Sequence, residues 1–124
     1  MSQKLEKVTV LENDRIKDVL IKINKNGFNG VFVVNKKKDL IGIITDSDVR
    51  KNILKNKLNV NKSAITIAQK KFIKIPISKI EESKQKLLKS NKMLLPVVKN
   101  KRLIDFVHTS DLYEQKKLVN RILV

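Results

Sequence analysis

The chain has 124 residues, 41% hydrophobic and 4% aromatic, which is enough for one core built from Ile, Leu and Val. It has no cysteine and one histidine, His108, which excludes disulfides, thiolate metal sites and any site that needs two imidazoles. No apolar run is long enough to span a bilayer, and the first residues lack the apolar stretch of a signal peptide. The sequence therefore predicts a soluble, cytoplasmic protein.

The net charge of +16 comes from 28 basic and 12 acidic residues. Only four of the basic residues are arginine, the side chain best shaped for bidentate contacts to phosphates and bases. The lysines are scattered through the chain, and the run Lys36–Lys38 lies between two apolar segments, as an exposed turn would. This pattern favours a solvated lysine-rich surface, with an anionic partner such as nucleic acid as the alternative.

The first half of the chain predicts two helices and three strands from its apolar periodicity and its cap residues. The runs at Val31–Val34 and Leu40–Ile44 are continuously apolar, which is typical of strands that are buried on both faces. In chain order, the predicted elements are a strand at Val8–Val10, a helix capped by Asn13 or Asp14 and ended by Gly27, the two buried strands, and a helix opened by Thr45.

The second half repeats this order. The predicted elements are a strand at Phe72–Ile75 ended by Pro76, a helix capped by Ser78 and closed by Asn91, strands at Leu94–Val98 and Leu103–Val107, and a helix opened by His108. Val33 and Val97 lie 64 positions apart. A repeat of this length predicts an α/β (α+β) fold of two pseudo-symmetric units, each a small sheet with two helices packed on it. The predicted units are residues 1–59 and 60–118, and residues 119–124 begin a linker or a following domain.

A motif at the end of the third strand carries a family resemblance. The segment Leu40-Ile41-Gly42-Ile43-Ile44-Thr45-Asp46-Ser47-Asp48 resembles the end of a CBS motif (cystathionine-β-synthase-type domain), where a glycine, two apolar residues and Thr/Ser-x-x-Asp lead into a helix. Leu95-Pro96-Val97-Val98 matches the apolar-Pro-Val-Val strand of that family. The second copy keeps Asp111 but has Asp105 in place of the glycine and His108 in place of Thr or Ser. The resemblance covers residues 5–118 as a tandem pair, called a Bateman module.

The resemblance implies a sensor that binds an adenosine-type or other nucleotide, such as AMP, ADP or ATP, in clefts between the repeats. By that likeness the matched Asp accepts hydrogen bonds from the ribose hydroxyls, and the matched Thr and the helix start face the phosphates. The first cleft would contain Thr45, Asp46, Ser47, Asp48 and Arg50, with Val8, Thr9 and Val10 near the base. The second cleft would contain His108, Thr109 and Asp111, with Leu95 and Pro96 near the base.

Structural roles compete with these assignments. Thr45 and Asp48 also have the spacing of a capping box, in which both residues only stabilise the start of a helix. Pro96 and His108 are equally compatible with packing. The sequence predicts no catalytic residue and no metal site, because Asp46 and Asp48 have no opposing cluster and the three glycines form no phosphate-binding loop. The prediction is a regulatory module rather than an enzyme.

The position of the repeats suggests a larger context. The pair resembles the N-terminal CBS pair of sugar-phosphate nucleotidyltransferases, in which case Ile122–Val124 would begin the next domain. The resemblance also implies a homodimer formed through helix surfaces, for which the candidate residues are Ile53, Leu54, Leu112 and Leu118. Two alternatives remain at this point, a basic nucleic-acid-binding module and a structural dimerisation domain whose clefts stay empty.

Overall fold

The chain forms two three-stranded sheets of the same construction in a computed structural model that describes residues 1–87 and 94–108. The first half contains α1 (Gln3–Glu6), β1 (Thr9–Leu11), α2 (Ile16–Asn26), β2 (Gly30–Val34), β3 (Leu40–Thr45) and α3 (Asp46–Leu54). A 3₁₀ turn at Ala64–Ile67 follows. The second half contains β4 (Ile75–Pro76), a 3₁₀ turn at Ile77–Lys79, α4 (Ile80–Leu87), β5 (Leu94–Lys99) and β6 (Arg102–His108).

The two sheets have identical topology. In the first, β1 runs parallel to β2, and β2 runs antiparallel to β3. In the second, β4 runs parallel to β5, and β5 runs antiparallel to β6. The register of each hairpin shifts at the same place, after Val33 in one and after Val97 in the other. The predicted mixed α/β fold with an internal repeat is therefore confirmed.

The central strands are buried on both faces, as their continuous apolar sequences predicted. Phe32 and Val34 of β2 face a core that both repeats share, whereas Val31 and Val33 pack with α2 on the other face. The shared core contains residues from both sheets, namely Leu5, Val8, Phe32, Val34, Leu40, Ile43, Leu94, Val98, Leu103 and Phe106. Neither repeat would bury these side chains alone, so the two sheets fold as partners.

The hairpin turns of the two sheets are joined by backbone hydrogen bonds. The Leu40 N–H donates to the Lys101 carbonyl at 2.8 Å, and the Leu103 N–H donates to the Lys38 carbonyl at 3.2 Å. The run Lys36–Lys38 is exposed in a turn, as predicted. These bonds fix the two sheets to each other at the turn end of β3 and β6.

The start of α2 differs from the prediction. Its N-cap is Arg15, which makes no side-chain cap bond, and the predicted caps Asn13 and Asp14 lie before it. The first N–H groups of a helix lack partners within the helix. Here the Ile16 N–H donates to the Lys62 carbonyl at 2.9 Å, and the Lys17 N–H donates to the Val60 carbonyl at 2.9 Å. The chain after α3 thus replaces the side-chain cap, which a local sequence pattern does not reveal.

That same segment packs on the first repeat. Ala64 and Ile67, in the 3₁₀ turn, belong to the cluster formed by α2 and the outer face of β2. The division of the chain at residues 59 and 60 stays a prediction. In the structure, Ala64 and Ile67 belong to the core of the first repeat.

Three further elements lie at positions that differ from those predicted. The strand β1 begins at Thr9 instead of Val8. The strand predicted at Phe72–Ile75 is Ile75–Pro76 in the structure, so Pro76 belongs to the strand, and Phe72 and Ile73 line a cavity instead. Ser78 lies inside a 3₁₀ turn that precedes α4, so it is not the N-cap of that helix. The predicted end of that helix at Asn91 and the predicted last helix after His108 lie outside the described residues.

Gly27 ends α2 in the left-handed conformation, with φ of 73°. A Cβ atom at this position would meet nothing within 4 Å, so the cost of a side chain is purely conformational. We expect Gly27→Ala to lower the free energy of unfolding by about 1 kcal/mol, measured by urea denaturation. Gly27→Asn, which tolerates this conformation better, is the control, and an equal loss for both variants would contradict this explanation.

Candidate functional site

The start of α3 is built by a reciprocal pair of hydrogen bonds between Thr45 and Asp48. The Asp48 N–H donates to the Thr45 hydroxyl at 3.3 Å, and the Thr45 N–H donates to Asp48 Oδ2 at 2.8 Å. The Thr45 hydroxyl also donates to Asp48 Oδ2 at 2.9 Å. The capping box that the spacing allowed is therefore present.

The second carboxylate oxygen of Asp48 has a more distant partner. The Gln69 side-chain amide donates to Asp48 Oδ1 at 2.6 Å, across 21 positions of sequence. Asp48 is only 7% exposed, so these contacts enclose its carboxylate almost completely. Gln69 is itself held by two backbone hydrogen bonds to Ile43, in which the Gln69 N–H donates at 2.8 Å and the Gln69 carbonyl accepts at 3.0 Å.

A cavity of about 380 Å³ opens beside this helix start, between the two repeats. The first repeat contributes loop residues and the beginning of α3, and the second contributes the segment before β4 and the first residues of β5. The lining residues are Phe28, Asn29, Ile43, Thr45, Asp46, Ser47, Arg50, Lys51, Gln69, Phe72, Ile73, Leu94 and Leu95. This volume falls within the range of small-molecule binding sites.

The lining divides into an apolar part and a charged part. Phe28, Phe72 and the aliphatic residues offer surface to a flat, weakly polar ring. Arg50 and Lys51, one turn into α3, place two cations on the same cavity, against one carboxylate from Asp46. The combination suits a ligand with an aromatic base at one end and a negative group at the other.

The loop that carries Phe28 is fixed by its neighbours. The Phe28 N–H donates to the Asn26 side chain at 2.8 Å, and the Asn29 carbonyl accepts from the Asp46 N–H at 3.0 Å. Phe28 also packs edge-on against Phe106, with ring centroids 5.3 Å apart. The aromatic wall of the cavity is thus tied to both repeats.

The structure brings together five of the predicted site residues and separates others. Thr45, Asp46, Ser47, Arg50 and Leu95 line the one cavity, although Leu95 had been assigned to the second cleft. Its presence here reflects how the repeats pair, because the start of β5 faces the end of β3 from the other sheet. Asp48 does not line the cavity. Its carboxylate instead accepts hydrogen bonds from the Thr45 hydroxyl and the Gln69 amide.

The residues expected near the base of the first cleft lie elsewhere. Val8 is fully buried in the shared core. Thr9 and Val10 border a different concavity, of about 540 Å³, beside Lys22 and Lys36. Strand β1 occupies the edge of its own sheet that is remote from Thr45, since β2 lies between β1 and β3.

The second predicted cleft is described only in part. His108 ends β6 opposite Leu94, is buried, and packs near Phe28 with ring centroids 5.4 Å apart. Pro96 is fully buried within β5. Thr109 and Asp111 lie outside the described residues, so their assignment to a ligand stays a prediction.

Several lining residues were not predicted from the sequence, chiefly Phe28, Gln69, Phe72 and Ile73. Phe28 and Phe72 carry one available signal, since each is an aromatic residue outside the predicted buried strands or at their margin. Gln69 has no such signal in the sequence, because its contact with Asp48 depends on how the chain after α3 folds back on the first repeat.

Within residues 1–87 and 94–108, no group of three or more His, Cys, Asp or Glu side chains is placed to hold a metal ion. In the same part of the chain, no helix is long and apolar enough to cross a membrane.

Comparison with known sequences links the first repeat to a family. Residues 1–55 match the family model of the CBS domain. The L-aspartate semialdehyde sulfurtransferase of Methanosarcina acetivorans is 28% identical over 104 residues, which are 84% of this chain and 20% of that protein. The chain therefore spans about one fifth of the length of this curated relative.

Comparison with known structures identifies the fold of both repeats together. The CBS domains of a transcriptional regulator from Streptococcus pneumoniae superpose with a TM-score of 0.73 at 20% identity, covering 92% of this chain and 93% of that one. The CBS domain pair of protein MJ0100, in complex with 5′-methylthioadenosine and S-adenosyl-L-methionine, gives 0.73 at 24% identity, covering 89% and 87%. CBSX2 in complex with AMP gives 0.73 at 18% identity, covering 93% and 91%. The chain has the fold of a CBS domain pair.

Proposed function

Starting from the CBS domain matched in residues 1–55, we propose that this chain is a regulatory module that binds an adenosine-type nucleotide between its two repeats. The observation that carries the proposal is the cavity itself, in which an aromatic and aliphatic lining adjoins Arg50 and Lys51 at the start of α3. Structures of the same fold are in complex with AMP in one case and with 5′-methylthioadenosine and S-adenosyl-L-methionine in another. These ligands share an adenosine group, which fits the apolar part of the lining.

The charges of the cavity favour a phosphate over a sulfonium. Two cations and one carboxylate among the lining residues leave a net positive site, which attracts an anion and repels a positively charged ligand. The proposed effector is therefore AMP, ADP or ATP. Thermal-shift measurements with these nucleotides, 5′-methylthioadenosine, S-adenosyl-L-methionine and a short oligonucleotide test the proposal. Preferential stabilisation by the oligonucleotide, lost at high salt, would instead favour the nucleic-acid function that the net charge of +16 suggests.

Arg50 supplies a specific prediction for this site. We expect Arg50→Gln to weaken AMP binding about tenfold, the value of one charge-assisted hydrogen bond, and to leave 5′-methylthioadenosine binding unchanged because that ligand has no phosphate. Isothermal titration calorimetry measures both dissociation constants. Arg15→Gln removes an exposed arginine that does not line the cavity and serves as the matched control. Equal weakening of both ligands would show that Arg50 does not contact a phosphate.

The proposal extends to a larger assembly. We infer that the module controls a catalytic domain, for which the resemblance favours a sugar-phosphate nucleotidyltransferase and the curated relative offers a sulfurtransferase. The sequence of the gene distinguishes the two candidate catalytic domains. Assays of the encoded enzyme with and without the nucleotide then test whether the module controls it.

Homodimerisation through α3 is the second part of that assembly. Ile53 and Leu54 are adjacent at the end of the helix and 52% and 83% exposed, so an interface between two copies would remove both from water. Analytical ultracentrifugation of the wild type and of Leu54→Ser tests this part of the proposal, and a monomeric wild type would refute it.

A further inference from the structure

Positive charge is concentrated at the two hairpin turns that join β2 to β3 and β5 to β6. Residues 36–39 and 99–102 contain six cations and one carboxylate, so six of these eight residues are basic, compared with 28 of 124 in the whole chain. The backbone hydrogen bonds between the turns place the two groups side by side. The turn surface is defined by its cations, all of them exposed, namely Lys36, Lys37, Lys38, Lys99, Lys101 and Arg102.

The backbone under the turn surface is held in place by several hydrogen bonds. The Asn35 side-chain oxygen accepts from the Lys37 N–H at 2.9 Å and from the Asp39 N–H at 3.0 Å. Asp39 also forms a β-bridge with Arg102 of the other sheet. The cations therefore stand on a preorganised base, which lowers the entropy that binding would cost.

One residue of the turn surface has a backbone conformation that does not suit it. Lys38 is left-handed, with φ of 68°, whereas the other turn has an asparagine in this region, Asn100 with φ of 57°. Asparagine tolerates that conformation better than lysine does. A lysine is thus placed where the backbone favours another residue, which points to a role for its charge.

The residue types of the turn surface indicate the kind of partner that it fits. Lysine is depleted at protein–protein interfaces, whereas lysine charges bind the backbone of a nucleic acid by releasing its counterions, without reading its sequence. Single strands are bound by stacking their bases on aromatic rings, and residues 36–39 and 99–102 include none. A duplex, whose phosphates lie on its outside, needs only the cations.

We propose that the turn surface binds the sugar-phosphate backbone of a nucleic-acid duplex, independently of sequence. Thr45, which lines the nucleotide cavity, lies at the other end of β3 from the turns. The inference therefore goes beyond the proposed function, and a duplex and a nucleotide can bind at the same time.

The salt dependence of binding tests the proposal. A fluorescent DNA duplex of about 20 base pairs is titrated with the protein at KCl concentrations between about 50 and 200 mM, and its anisotropy is measured. Six phosphate contacts predict that the affinity falls about 1,000-fold over this range. The triple variant Lys36→Gln, Lys37→Gln, Lys38→Gln keeps three contacts, so its affinity should fall only about 40-fold.

A second triple variant is the matched control. Lys55→Gln, Lys57→Gln, Lys62→Gln removes the same charge from exposed lysines outside the turns. It should keep the salt dependence of the wild type. Equal changes in the two triple variants would assign binding to net charge and overturn the role of the turn surface.

The single variant Lys38→Asn tests the surface without straining the turn. It should reduce the slope of log affinity against log salt concentration by about 1 and leave Tm equal to or above that of the wild type. An unchanged slope would contradict the proposal. So would a wild type that binds no duplex at about 50 mM KCl, that binds vesicles of anionic lipid but no duplex, or that releases the duplex when AMP is added. Absence of AMP binding would overturn only the proposed function.

Discussion

Replacing Asp48 by alanine should lower the free energy of unfolding by about 2–4 kcal/mol, because the loss of a helix cap and the stranding of buried donors act together. Asp48 is 7% exposed, and its carboxylate accepts bonds from the Thr45 backbone, the Thr45 hydroxyl and the Gln69 amide. Without it, α3 loses its capping box and the chain after α3 loses a side-chain bond to the helix.

The measurement for this prediction is urea denaturation followed by circular dichroism. Asp46→Ala is the matched control, since Asp46 lies in the same first turn of the helix but lines the cavity and is not the capping partner of Thr45. We expect that control to cost less than about 1 kcal/mol, the scale of a charge near a helix start. Similar losses for the two variants would show that the hydrogen bonds of Asp48 contribute little.

Gly42→Ala should lower the free energy of unfolding by about 2–3 kcal/mol, because the new methyl group has no space. A Cβ atom on Gly42 would lie 2.9 Å from the Cβ of Ala68 and 3.2 Å from the carbonyl oxygen of Gln69. Neither atom belongs to a flexible side chain that could rotate away. The chain would have to move off β3, which disrupts its two backbone hydrogen bonds to Ile43.

The second repeat supplies the matched control for this prediction. Asp105 occupies the position equivalent to Gly42, and its side chain is 52% exposed and paired with Lys4 at 3.3 Å. An exposed ion pair contributes little, and the only further side-chain bond of Asp105 within residues 1–87 and 94–108 is the local one that its Oδ1 accepts from the Phe106 N–H at 2.8 Å, so Asp105→Ala should lower the free energy of unfolding by less than about 1 kcal/mol. Thermal and urea unfolding of both variants measure the contrast. A Gly42→Ala protein as stable as the wild type would mean that the chain at Ala68 can shift without cost.

The contrast between the two repeats also accounts for the residue that stands at the glycine position of the CBS motif that the sequence resembles. Glycine is required in the first repeat because an extended chain at Ala68 and Gln69 crosses β3 closely. The second repeat has α1 near β6 instead, and Lys4 extends from it to Asp105. A side chain fits there, so the absence of glycine does not disturb the fold.

The strands and the repeat were predictable because their signals are local. The apolar runs at β2, β3, β5 and β6 are long enough to identify each strand to within about one residue at either end. Burial on both faces produces such runs wherever they occur. The capping box was predictable for the same reason, since Thr45 and Asp48 are only three positions apart.

The elements that sequence patterns missed depend on distant parts of the chain. The helix α1 has four residues, too few to form without Leu5 packing in the shared core. The 3₁₀ turn at Ala64–Ile67 is held by bonds such as that from the Ala64 N–H to the Asp14 carbonyl at 2.7 Å. The start of α2 and the contact of Gln69 with Asp48 arise in the same way, from a segment that returns to the first repeat.

The hydrogen bonds between the hairpin turns have a mechanical consequence. They tie the sheets together at Leu40 and Leu103, whereas Thr45, which lines the cavity, lies at the opposite end of β3. Five residue steps of strand separate these ends, a lever of about 16 Å. A rotation of about 3–4° around the tied end would move Thr45 by about 1 Å, by the geometry of a strand of that length. In such a rotation the displacement of a β3 residue would be proportional to its distance from the hairpin turns, and it would be largest beside the cavity.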